Sequence, residues 1–132
     1  MTPTSLTITR TVDSSGALLL RLCGAIDGKN FHQLELTIKD AFRSGQYHII
    51  ADLTDVEYVS STGLGVFLGT LPVAREHDGN IVLLNPAPKI RQLIVILNLV
   101  SVMQIADDLA AARCMIKDLS KPQAFADKSG AS

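Results

Sequence analysis

Residues 59–69 read VSSTGLGVFLG: three adjacent hydroxyl side chains, then an apolar segment punctuated by glycine. Leu64, Phe67, Leu68 and Leu71 recur at i, i+3, i+4 and i+7, one face of a helix, so a helix is predicted to start near Ser61 or Thr62. Pro72 removes one internal hydrogen bond and should bend or break that helix. Just upstream, YHIIADL (47–53) is an apolar run of strand length, the signature of a buried parallel strand, and TDVEYV (54–59) reads as a short link. Strand, link and helix start form half of a βαβ unit, which makes the class α/β.

The pattern repeats on both sides. LTITRTV (6–12) alternates apolar and polar residues, DSSG (13–16) supplies a turn, and ALLLRLCG (17–24) completes a hairpin. Phe31, Leu34, Ile38, Ala41 and Phe42 share a helical face over 30–44, with Asn30 as N-cap and Gly45 as the stop. GNIVLLN (79–85) is another buried strand, followed by a helix over 86–99 with Pro88 in its first turn. A short strand at 101–105 leads to a last helix opened by Asp107 and Asp108. The expected architecture is a mixed sheet with an N-terminal β-hairpin and about four helices packed against it. The expected domain spans residues 1–118, with a flexible tail over 119–132.

Composition narrows the function. The chain has 132 residues, 47% hydrophobic and 19% charged, with a net charge of −1. That suits one compact domain and offers no basic footprint for nucleic acid or anionic lipid. No signal peptide is read in MTPTSLTITR, and the longest apolar stretch, around Leu93–Val100, is interrupted by Asn98. No membrane partner is therefore expected, and a cytoplasmic location is. Cys23 and Cys114 lie in apolar segments and read as buried thiols.

The sequence is a poor candidate for an enzyme. His32, His48 and His77 stand apart from one another at no metal-ligand spacing and read as surface or helix-face residues. HExxH, CxxC, GxSxG and the P-loop pattern are missing, and Leu68 stands where a dinucleotide fingerprint needs glycine. No metal or cofactor is expected. Asp52 and Asp55, beside the hydroxyl cluster, read as solvated loop charges.

The hydroxyl cluster remains. In a parallel sheet, loops at strand C-termini collect function, and a helix N-terminus there favours an anion, for instance a phosphate carried by Ser61. The competing account has Ser61 capping the helix, with Ser60 and Thr62 as polar filler. Gly65 and Gly69 are four apart; they suit close packing of the helix, or else a flat surface that a partner can approach.

YVSSTGLGVFLG (58–69) resembles the signature of the anti-sigma factor antagonists, the small single-domain STAS proteins. HIIADLTDVEYV (48–59) is similar to their third strand and the loop after it, and GAIDGKNFHQLE (24–35) to their Gly-Glu-Leu/Ile-Asp segment. NIVLLNPAPKIRQLIVILNLVSVMQIADDLAAA (80–112) resembles their final strand–helix–strand–helix, so the likeness extends over about 6–117.

The resemblance implies a phosphorylation switch. An unmodified antagonist of this family binds an anti-sigma factor, a serine kinase, and releases the sigma factor. The kinase phosphorylates the antagonist, and a PP2C-type phosphatase resets it. By position the accepting serine falls on Ser61, the following hydroxyl on Thr62 and the turn glycine on Gly63. The family aspartate ahead of the acceptor falls on Ser60, and the one ahead of the first helix on Asp27. Asp27 either faces the kinase or simply caps the turn DGKN. Two residues depart from the pattern. Ser60 removes a charge beside the acceptor and is itself a possible second acceptor; Ala25 replaces the usual Glu. The resemblance is also compatible with a regulatory or scaffold STAS protein outside a sigma-factor cycle, stressosome-like or accessory to a lipid-transporter ATPase. A nucleotide binder using the Ser60–Gly63 helix end is a further alternative.

Overall fold

The computed structural model describes residues 5–120. The elements run β1 (Leu6–Val12), β2 (Leu18–Ile26), α1 (Phe31–Arg43), β3 (His48–Val59), α2 (Ser61–Glu76), β4 (Asn80–Leu84), α3 (Pro88–Ile96), β5 (Gln104–Ala106) and α4 (Leu109–Ser120). The five strands lie in sequence order in one sheet. β1 and β2 are antiparallel, as the hairpin predicts, and every later pairing is parallel. This is the expected mixed α/β sheet with its edge hairpin and four helices. From residue 121 onward the expected tail lies outside the described residues.

Period-two burial sorts the strands into two cores. Leu18, Leu20 and Leu22 of β2, Ile49, Ala51 and Leu53 of β3, and Ile81 and Leu83 of β4 face one side, with Leu34 and Ile38 of α1, Phe67 of α2 and Ile90 and Ile94 of α3. The alternate residues Ile50, Val82 and Leu84 face the other side, with Ala112 and Ile116 of α4. Three parallel crossovers of the same hand between successive neighbours put α1, α2 and α3 on one face and leave α4 alone on the other. Each fully buried Leu, Ile or Phe contributes about 1.5–3 kcal/mol by removal from water.

That asymmetry corrects the reading of the cysteines, which are both exposed. Cys23 follows buried Leu22 on β2 and points to the opposite face of the sheet, outside the cluster that α4 covers. Cys114 lies midway between Ala112 and Ile116, which define the buried face of α4, so it turns outward. His48 is likewise no surface residue: it sits in β3, half-buried, with Nδ1 out of contact with solvent.

Other boundaries moved for local reasons. The presumed link 54–59 is strand, because β3 keeps pairing with β2 through two register shifts, to Ile26 opposite Val59. Helix α2 does not break at Pro72; the ring is exposed and costs one interior hydrogen bond while the apolar face packs on either side of it. Helix α3 stops at Ile96, and Asn98 takes the left-handed region (φ 59°), which turns the chain toward β5. Helix α1 ends as expected. Gly45 (φ 90°) donates to Phe42 O and Gln46 to Ala41 O, the paired bonds of a Schellman turn.

Candidate functional site

Helix α2 opens at the sheet edge where β2 and β3 end together, Ile26 opposite Val59. Ser60 has extended backbone (φ −78°, ψ 167°), and its Oγ accepts from the Gly63 N–H at 3.1 Å. Its own N–H donates to the Ile26 carbonyl at 2.9 Å, tying the helix start to the end of β2. Ser60, not Ser61, is therefore the N-cap, and it does with a hydroxyl what an aspartate does at such a position.

The cap releases its neighbours. Ser61 and Thr62 are the first two helical residues, both exposed, and among the described residues neither hydroxyl has a hydrogen-bond partner. No acidic residue stands in the first turn, so the positive end of the helix dipole beside Ser61 is not offset there.

Gly63 is buried where α2 touches the ends of β2 and β3. A Cβ there would lie 2.7 Å from Ile26 Cγ2 and 3.0 Å from Val59 Cγ1. This close approach holds Ser61 at the edge of the sheet. Gly65 and Gly69 differ: both are exposed, and nothing lies within 4 Å of an added Cβ. Their expected packing role is overturned, and with Ser61 they form a smooth exposed stripe at i, i+4 and i+8.

Asp27 lies one residue beyond the Ile26 carbonyl that Ser60 bonds, so the fold brings it to the same edge. Its Oδ1 accepts from the N–H groups of Lys29 (2.9 Å) and Asn30 (3.1 Å). Asn30 stands at the helix N-cap, yet its side chain bonds backward, accepting from Asp27 N–H at 2.9 Å and donating to Ala25 O at 2.8 Å. The two side chains thus hold the β2–α1 loop in shape. Asp52 and Asp55 are strand residues, not loop charges. Asp52 is buried, accepts from Thr54 N–H and Oγ1, and lies 3.5 Å from Arg21 Nε; Asp55 is exposed.

One neighbour escaped the sequence reading. Tyr58 is 54% exposed and lines a groove of about 270 Å³ with Val59, Ile90 and Leu93, rimmed by Glu57 and Lys89. An aromatic residue in the polar run DVEY was the available signal. The edge thus combines an unused serine hydroxyl, a helix dipole, a smooth helical face and an apolar groove. Its equipment is for binding; among the described residues no cluster of His, Cys, Asp and Glu is placed to hold a metal ion.

Comparison with known proteins supplies a family for this geometry. The STAS domain family model matches residues 9–112. The anti-sigma-B factor antagonist of Staphylococcus epidermidis is 29% identical over 86 residues, 65% of this chain and 80% of that protein. An anti-sigma factor antagonist from Mycobacterium paratuberculosis superimposes with a TM-score of 0.79 at 23% identity, over 89% of this chain and 98% of that one. The anti-sigma factor antagonist SpoIIAA has been solved unphosphorylated and, from Bacillus, phosphorylated; these structures give TM-scores of 0.70 and 0.64 at 23% and 24% identity. Each spans 83% of this chain and, respectively, 96% and 99% of the other. No described helix is long and apolar enough to cross a membrane.

Proposed function

The chain belongs to the STAS domain family, and from that premise we propose that it is an anti-sigma factor antagonist switched by phosphorylation of Ser61. In its unmodified form it binds an anti-sigma factor serine kinase and releases the sigma factor; a PP2C-type phosphatase resets it. The observation that carries this reading is the division of labour at the start of α2. Ser60 supplies the cap, and Ser61 keeps an exposed hydroxyl in the first turn.

Electrostatics gives the switch its direction. A phosphate on Ser61 carries about −1.5 to −2 charges at pH 7. Within the chain the dipole of α2 favours that charge by roughly 0.3–1 kcal/mol, so the backbone has no reason to rearrange. At an interface the balance reverses. A unit pair of like charges at 4 Å costs about 1 kcal/mol in water and about 4 kcal/mol at an effective dielectric near 20. A loss of affinity of roughly a hundredfold or more follows, since each 1.4 kcal/mol is a factor of about ten. Repulsion at the Ser61–Gly65–Gly69 face does the switching, with Thr62 and Gly63 within the covered area and Asp27 shaping the adjoining loop.

The test is kinase binding and phosphopeptide mass spectrometry on wild type, Ser61→Ala, Ser61→Asp and Ser60→Ala. Ser61→Ala binds and accepts no phosphate; Ser61→Asp stays folded and binds far more weakly. Phosphate on Ser61→Ala and none on Ser60→Ala would move the acceptor to Ser60 and overturn the assignment.

A further inference from the structure

We propose that one internal water molecule is bound between the side chains of His48 and Asn80, at the end of β3 remote from Ser61, and that it links β3 to β4 on the α4 side of the sheet. The two residues are Cα partners at the first rung of the β3–β4 ladder. Both side chains lie on the α4 face, because Ile50 and Val82, two residues further along each strand, belong to the cluster that α4 covers. Asn80 is 0% exposed and begins a strand that is otherwise apolar, Ile81 to Leu84. Asparagine is depleted in strands, so packing gives no reason for it here.

Two buried side-chain atoms have no hydrogen-bond partner among the described residues, and they belong to this pair: His48 Nδ1 and Asn80 Oδ1. Buried polar atoms left unpaired are costly and few in folded proteins. The Asn80 amide is held from one side, its Nδ2 donating to Gln104 Oε1 on β5 at 2.6 Å. Nitrogen and oxygen diverge from the same planar carbon, so a nitrogen directed at β5 leaves the oxygen on the β3 side, where His48 stands. The start of β3 is held as well. His48 N–H donates to Gln46 Oε1 at 3.0 Å, and Gln46 Nε2 donates to Gly16 O at 2.9 Å. On its other flank His48 has Ala17, which precedes the partner of Ile49 and brings no polar side-chain atom.

Spacing and chemistry select water. Residues opposite each other on neighbouring strands stand about 4.8 Å apart. That is too far for a direct hydrogen bond and close to the span of one water placed about 2.8 Å from each atom. A neutral imidazole nitrogen and an amide oxygen both accept from the two O–H groups of a single water, so one molecule satisfies both. Buried waters in proteins occupy such points, where two to four polar groups converge. The chain of bonds then runs from His48 through the water to Asn80 and on to Gln104, across β3, β4 and β5.

Water–protein NOE and ROE spectra of the full chain test this, on wild type, His48→Phe, Asn80→Leu and the double variant, with urea unfolding of all four. Wild type should show a long-lived water with cross-relaxation to the Asn80 side-chain amide, and no variant should keep that water. Each single substitution leaves one polar atom buried and unpaired and should raise the unfolding equilibrium constant tenfold or more. The double substitution replaces both partners by apolar groups, so its effect should fall at least tenfold short of the product of the two single effects. A wild type without a long-lived water overturns the proposal, as does a water signal that survives His48→Phe. Single effects that simply multiply, or a scalar coupling across a direct hydrogen bond between the ring and the Asn80 amide, overturn it too. If Asn80→Leu does not fold, the wild-type and His48→Phe spectra decide alone.

Discussion

Arg113 on α4 donates from Nε and Nη2 to Oδ2 and Oδ1 of Asp13, at 2.9 and 2.8 Å, across one hundred residues of sequence. The Asp13 side chain is only 4% exposed, and it also accepts from Ser15 N–H and Oγ in the hairpin turn. The bidentate pair ties α4, alone on its face of the sheet, to the edge hairpin. The guanidinium first, and then the Ser15 hydroxyl, hold the Asp13 carboxyl well below the usual carboxylate range.

Stability should therefore depend on acid in a defined way. Because the folded value is depressed, the contribution of Asp13 is fully present above the unfolded value of about 3.9 and is lost as pH falls below it. Asp13→Ala should cost about 1–3 kcal/mol near neutrality, as expected for a buried hydrogen-bonded carboxylate. In urea unfolding, the gap between wild type and Asp13→Ala should narrow steadily once the pH drops below about 4. A gap independent of pH would contradict the pairing.

The two hydroxyls at the start of α2 should separate in a thermal melt. Ser60→Ala removes the cap and should cost about 1 kcal/mol, whereas Ser60→Asp should keep most of it. Ser61→Ala should leave the midpoint nearly unchanged. Equal losses at both positions would mean that Ser61 shares the capping.

Glycine positions along the same helix should respond with opposite sign. Gly63→Ala drives a methyl group into fully buried Ile26 and should destabilise by about 1–3 kcal/mol. Gly65→Ala meets open space and should stabilise by roughly 0.5–1 kcal/mol through helix propensity. If the smooth face is the docking surface, that more stable variant should nevertheless bind the kinase less tightly, which calorimetry on the purified pair measures.

Tyr58 offers an independent check of where the partner sits. An exposed aromatic lining an apolar groove suits an interface anchor, so Tyr58→Ala should weaken kinase binding about tenfold or more with little change in folding stability. Unchanged affinity would confine the interface to α2.

The element order, the hairpin, the parallel pairing and the start of α2 were all legible in the sequence, because hydrophobic period and capping chemistry are local. Leu64, Phe67, Leu68 and Leu71 announce their helix whatever surrounds them. The exact end of β3 was not legible. Residues 54–59 look like a link until β2 lies alongside, and it is the ladder to Gly24, Ala25 and Ile26 that makes them strand. Which serine caps was settled the same way, by the Ser60 N–H reaching the Ile26 carbonyl. Exposure needed the whole fold. Cys23 sits in an apolar run but lies on the α4 side of the sheet outside the cluster that α4 covers; Gly65 and Gly69 look like packing residues but face water. Asp52 looks like a solvated charge but is buried beside Arg21 and Thr54. Local sequence sets which face of an element is apolar, and the handedness of the crossovers decides which faces find a cover.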